Sequence, residues 1–285
     1  MRKKYLYSTW FMVPALVIFI IFFFLPMVIS VFFSLTVWDF DGFTFCGLDN
    51  FKMFFSDSSL SSSIIHTLVY AFITCALKLI LAFLLAVFLT SKIKTKTFLR
   101  AVVFFPNLIS TVAVGITFSA LMHPTKGLFN NVLELFGGNG INWLGDKNIA
   151  LYSVAFADVW KGVGIATVIF IAGMQSIDRS YYEAAAIDGA NRFQQLKFIT
   201  MPLSRPAMNS IIVLSFIGGL RAFDLIWSMT GGGPGYATEV MASTVYKQFA
   251  AGYYGLSTAG NVVMFAVIAI LAFPLQKYLL SKEEA

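Results

Sequence analysis

FMVPALVIFIIFFFLPMVISVFFSLTV, residues 11–37, runs for 27 residues without a charged side chain. A bilayer core about 30 Å thick takes about 20 helical residues to cross. Lipid offers no hydrogen-bond partner to a bare peptide group, so a run of this length in a membrane must be helical. Arg2, Lys3 and Lys4 precede it, as in a secretory signal, but the uncharged segment from Tyr5 to Trp38 far exceeds the 7–15 apolar residues of a cleavable signal. The segment is expected to remain as a span.

Outward from this stretch, five more runs of similar character occupy residues 64–90, 101–122, 149–175, 207–227 and 256–275. The expectation is an all-α polytopic membrane protein, residues 1–285 forming one transmembrane domain of six helices. Composition agrees, with 58% hydrophobic residues, 31 of them Phe, and 12% charged residues. A soluble domain carries about 25% charged residues, so lipid is the solvent this surface suits.

The net charge of +6 has a topological origin. Lys92, Lys94, Lys96 and Arg100 follow the second span, and Arg179, Arg192, Lys197 and Arg205 follow the fourth; these loops and both termini are read as cytoplasmic. Lys52, Lys126, Lys147 and Lys247 fall on the other side. No basic stripe is interleaved with exposed aromatics, which argues against a nucleic-acid partner. Cys46 and Cys75 lie in different environments and suggest neither a disulfide framework nor a metal site.

The longest polar segment between spans, SIDRSYYEAAAIDGANRFQQLKFITMPLSRP at 176–206, reads as helix, turn and helix. Ser180 with Glu183 fits a capping box, the alanines 184–186 favour helix, and Gly189 suits a left-handed stop. Asn191 and Gln194 open a second helix, whose Phe193, Leu196 and Ile199 form an apolar stripe before Pro202 ends it.

Glu183-Ala184-Ala185, three residues, Gly189, nine residues, Ile199, one residue, Met201-Pro202 resembles the EAA loop of binding-protein-dependent ABC importer permeases. The family usually has Leu where Met201 stands, a mild departure in volume. The resemblance implies a type I ABC importer permease fold, and it implies that the loop enters a cleft on a separate ATPase. Glu183, Ala184, Ala185, Asp188, Gly189, Ile199 and Pro202 would then carry coupling. Phe45-Cys46-Gly47-Leu48-Asp49-Asn50-Phe51, and Phe223-Asp224-Leu225 leading to Thr230-Gly231-Gly232-Gly233-Pro234, look like the carbohydrate-uptake branch, of maltose or glycerol-phosphate type. The partners implied are a second permease forming a heterodimer, two ATPase subunits holding ATP and magnesium, an extracytoplasmic solute-binding protein and a sugar. The localisation implied is a bacterial cytoplasmic membrane, and no cofactor is expected on this chain.

Lys78, Asp158, Lys161, Arg221 and Asp224 fall at membrane depth, where a charge costs about 2.5–3.5 kcal/mol on insertion scales. Asp158 with Lys161, and Arg221 with Asp224, are three apart and suited to local ion pairs; alternatively some of these groups line a solute path. By analogy with the maltose-type permease the path falls near Asn107, Thr111, Lys161, Ile165, Ser215 and Gly219. Asp224 supplies a further polar group, and Trp160 and Trp227 are candidates to stack on a sugar face. Asn107, Thr111 and Ser215 equally suit the bonding of one membrane helix to another.

The chain has no GxxxxGK[ST] phosphate loop, HExxH, CxxC or nucleophile elbow, so no catalytic residue or metal ligand is expected. A gradient-driven transporter or channel, an ABC importer of a non-sugar solute, and a membrane scaffold are the competing readings. The first would not need the 31-residue polar loop.

Overall fold

The protein is described from a computed structural model, which covers residues 9–39, 41–91 and 93–282. The expected Lys92, Arg2, Lys3 and Lys4 charges lie outside these residues. Its chain divides into two compact units, where sequence alone suggests one domain: Met1–Ser61 with Thr244–Ala266, and Ser62–Ser243 with Val267–Ala285.

The first unit is led by α1 (Trp10–Ser34), whose most apolar window is wholly unburied, as a lipid-facing span requires. One wide π turn, Ile20–Phe24, lies just ahead of Pro26 and takes up the hydrogen-bond register that proline interrupts. The helix stops at Ser34, short of the expected Val37, because Thr36–Trp38 (β1) pairs antiparallel with Phe43–Phe45 (β2). Asp39 fastens the intervening turn by accepting from the backbone N–H groups of Asp41 and Gly42. Buried Asn50, in α2 (Asp49–Ser56), donates to the carbonyls of Ser34 at 2.9 Å and Thr36 at 2.8 Å, so the helix end and strand start are both satisfied.

The second unit holds most of α3 (Ser58–Thr90), α4 (Lys96–Leu108), α5 (Thr111–Leu121), α6 (Leu128–Leu135), α7 (Ala150–Gln175), α8 (Arg179–Ile187), α9 (Arg192–Leu203), α10 (Arg205–Leu220) and α11 (Asp224–Thr230). The helices α12 (Met241–Ala250) and α13 (Tyr254–Ser281) complete the chain. Alanine is the packing residue on α3 and α7: Ala82, Ala86 and Ala166 share a core with Phe170, Ile171 and Ile211. In the absence of a hydrophobic driving force between spans, such small residues allow the close approach that dispersion needs. A second core gathers Tyr70, Val114, Phe118, Val154 and Ile226.

Four helices, α1, α3, α7 and α13, are long and apolar enough to span alone, and six spans result if each of two bent pairs counts as one. The expected span 101–122 is one such pair. It breaks by 97° between α4 and α5, where Pro106 and the polar Asn107 and Ser110 interrupt the apolar run. The expected span 207–227 ends instead at Leu220, and residues 224–230 form the separate helix α11, which packs into the core with Val114 and Phe118.

Between α6 and α7 the backbone is gathered by one side chain. Asn130 is 1% exposed and donates to the carbonyls of Pro124 and Ile141, both at 2.8 Å, while its oxygen accepts from the Ile141 N–H and the Trp143 indole. Asn130→Ala removes four part-buried hydrogen bonds, each contributing about 0.5–1.5 kcal/mol net. The expected result is a loss of about 3 kcal/mol, read as a fall in unfolding temperature in nanodiscs; an unchanged transition would show that water replaces all four bonds.

Candidate functional site

Two places gather the residues singled out from sequence: the loop between α7 and α10, and a cavity at the bend of α4 and α5.

In the loop, α8 begins at Asp178, whose side chain accepts from the Ser180 N–H at 2.8 Å. The expected Ser180–Glu183 box is therefore corrected: a carboxylate at the helix N-terminus is the stronger cap, and Ser180 is its donor. That hydrogen bond holds the Asp178 carboxyl below the ordinary carboxylate range. Glu183 is exposed, one turn on. At the other end, Gly189 takes φ +78°. The Ala190 N–H reaches the Ala185 carbonyl at 2.8 Å, and the Gly189 N–H reaches Ala186 at 3.1 Å. These are the paired bonds of a Schellman stop, which needs a residue without a Cβ at this φ.

Directly after it, Asn191 and Gln194 form the expected capping box, with reciprocal bonds of 2.8 and 2.9 Å. The second helix does not end at Pro202. A π turn, Leu196–Thr200, precedes that proline just as one precedes Pro26, and the helix continues to Leu203. The Tyr182 hydroxyl and Thr200 Oγ1, 3.0 Å apart, tie the two helices together. The result is a preformed hairpin of helices. Ile187 (88% exposed), Phe193 (70% exposed), Phe198 and Tyr181 remain uncovered, while Leu196 and Ile199 are half-buried. Ala184 is exposed and Ala185 half-buried on the same helix as Glu183; Asp188 is its exposed C-terminal cap.

The cavity has a volume of about 280 Å³ and is lined by both polar and aliphatic groups, among them Asn107, Thr111, Lys161, Ile165 and Ser215. Five of the nine expected path residues thus meet at one place, contributed by α4, α5, α7 and α10. The other four do not line it. Gly219 packs on α3, where a Cβ would come within 2.6 Å of the Ala71 Cα. Trp160 lies against Phe118, and Trp227 stacks on Phe223 with centroids 5.7 Å apart; Asp224 is exposed at the start of α11.

The structure also places Lys78 and Asp158 in the cavity wall, where Lys78 Nζ lies 2.7 Å from Asp158 Oδ2. This corrects the expected Asp158–Lys161 pair. Lys78 is 80 positions away in the chain, and Gly162 makes its approach possible, since a Cβ there would come within 2.7 Å of the Lys78 Cε. No ion pair joins Arg221 to Asp224 among the described residues. The Lys78–Asp158 pairing escapes the spacing rule for helices, yet a charge at membrane depth without a neighbour of opposite sign already signals a distant partner.

A family model for the inner membrane component of binding-protein-dependent transport systems matches residues 78–283. Over 224 residues the chain is 34% identical to the trehalose/maltose transport system permease protein MalF of Thermococcus litoralis, covering 79% of this chain and 76% of that one. It is 33% identical to the multiple sugar-binding transport system permease protein MsmF of Streptococcus mutans, over 95% of each. In three dimensions it resembles a chain from a bacterial ABC transporter involved in the import of the acidic polysaccharide alginate, with a TM-score of 0.84 at 22% identity, covering 94% of this chain and 93% of the other. That likeness is one of fold.

Proposed function

The chain belongs to the family of inner membrane components of binding-protein-dependent transport systems, and from that premise we propose that it is the permease subunit of an ATP-driven importer for a sugar or oligosaccharide. Its relatives carry the sugar assignment by name, among them a trehalose/maltose permease and a multiple-sugar permease. The observation that carries coupling is the capped helical hairpin 176–206, set between a span and the helix that lines the cavity, with Ile187 and Phe193 uncovered.

In this reading the hairpin seats in a cleft on a separate ATPase, which holds ATP and magnesium. Glu183 meets a basic side chain at the cleft rim, Ala184 and Ala185 allow close approach, Asp188 and Gly189 form the turn, and Ile199 and Pro202 fix the second arm. A second, homologous permease supplies the other half of the path, and a solute-binding protein delivers sugar from outside. Both termini and the hairpin face the cytoplasm, where most Lys and Arg lie. Solute crosses by alternating access, and Asn107, Thr111, Lys161, Ile165 and Ser215 contact it in passing.

Purification from the native membrane in mild detergent, followed by mass spectrometry, tests this directly. The expected result is a second permease and an ATPase retained at fixed stoichiometry, with Glu183→Lys reducing both ATPase retention and uptake at least tenfold. Recovery of this chain alone, with uptake driven by an ion gradient, would overturn the proposal.

A further inference from the structure

The cavity at the α4–α5 bend opens against a second one of about 380 Å³, lined by Leu214, Ile217, Gly218 and Arg221; Leu214 and Gly218 line both. Four ionisable side chains line the two together: Lys78, Lys161, Arg221 and Asp158. Asp158 is already engaged by Lys78 at 2.7 Å. Neither Lys161 nor Arg221 forms an ion pair among the described residues. Lys161 is half-buried within a span, and the lining is otherwise aliphatic, hydroxyl or amide.

Two cations beyond the one neutralised, half-buried Lys161 and exposed Arg221, therefore border the two adjoining cavities. A lysine at membrane depth costs about 2.5–3.5 kcal/mol on insertion scales unless something offsets it, and a path for a neutral sugar gains nothing from that cost that an amide or hydroxyl would not supply. The α5 N-terminus adds to the same field. Thr111, its first residue, lines the cavity, and Ser110 caps it without a side-chain hydrogen bond, so the first amides and the helix dipole present positive character there.

Resting on the importer reading above, we infer that the transported sugar is anionic, bearing a carboxylate or phosphate that Lys161 and Arg221 receive in turn. Lys161 meets the charge at the α4–α5 bend, and Arg221 meets it one cavity along. The Lys78–Asp158 pair stays closed on itself and shapes the wall.

The test uses the complete complex in proteoliposomes with its binding protein and internal ATP. Uptake is compared for an oligouronate, a sugar phosphate and a neutral oligosaccharide of equal length, in the parent protein and in Lys161→Gln, Lys161→Arg and Arg221→Gln. Expected is at least tenfold preference for one anionic class over the neutral sugar, which also says whether the charge is carboxylate or phosphate. Lys161→Gln should lower anionic uptake about ten- to a hundredfold, the scale of one charged hydrogen bond, with Lys161→Arg restoring most of it; that rescue shows that the fold survives. ATP-driven uptake that prefers the neutral sugar, and is unchanged in Lys161→Gln, would overturn the anionic assignment while leaving the importer intact. Absence of ATP-driven uptake for every sugar would overturn both.

Discussion

Lys78→Met alone is expected to destabilise the second unit by about 3 kcal/mol, while Lys78→Met with Asp158→Leu recovers most of the loss. The single change leaves a carboxylate in the cavity wall without its cation, and breaking a buried pair costs about 3–5 kcal/mol. The lower end applies because the Asp158 side chain keeps 24% of its surface exposed, against 11% for Lys78. Removing both charges removes both desolvation costs, which is why a pair of well-packed apolar residues can match an ion pair in stability. Thermal unfolding of the four proteins of this cycle in nanodiscs supplies the measurement. Additive losses, with the double variant the least stable, would show that each charge is anchored by something other than its partner.

The second large effect concerns the hairpin. Ile187→Glu combined with Phe193→Asp should abolish ATP-driven uptake and release the ATPase, yet leave the unfolding temperature of the chain within about a degree of the parent. Both side chains are exposed on a folded, capped hairpin, so nothing within the chain depends on them. Buried in a partner, each contributes about 1.5–3 kcal/mol, and losing both exceeds a hundredfold in affinity. Retention of the ATPase on the variant would place its contact elsewhere. A parallel fall in stability would instead show that the two residues pack within the chain.

Much of this architecture can be read from residue order, and the reasons for the rest are specific. Long, predominantly apolar runs forced the helices near 64–90 and 149–175, because no other backbone form is stable in lipid. Hydropathy over 101–122 cannot reveal a 97° break, since Pro106, Asn107 and Ser110 are few among many apolar neighbours. Likewise the end of α10 at Leu220 depends on tertiary packing of α11 beneath Val114 and Phe118. In the hairpin, the Gly189 turn and the Asn191–Gln194 box are local and were legible; the Asp178 cap competes with Ser180 over two residues, a choice that propensity does not settle. Helical spacing linked Asp158 to Lys161, whereas three-dimensional approach over Gly162 gave it to Lys78. Counting acids against bases at membrane depth points to a cation surplus but not to which cation is left over.

One joint in the structure has a mechanical meaning. Between Leu203 and Arg205 only Ser204 intervenes, buried and bonded to the Thr200 carbonyl, and across it the axis turns by 63°. The short arm of this elbow carries Phe193 and Ile199, and the long arm carries Ser215. At 1.5 Å per residue Ser215 stands about 15 Å beyond the elbow. A swing of about 5° there carries it sideways by about 1 Å, close to half a hydrogen bond's length. On the coupling proposed above, the hairpin is the handle of a crank, and a push far smaller than a solute would be enough to change which groups meet in the cavity.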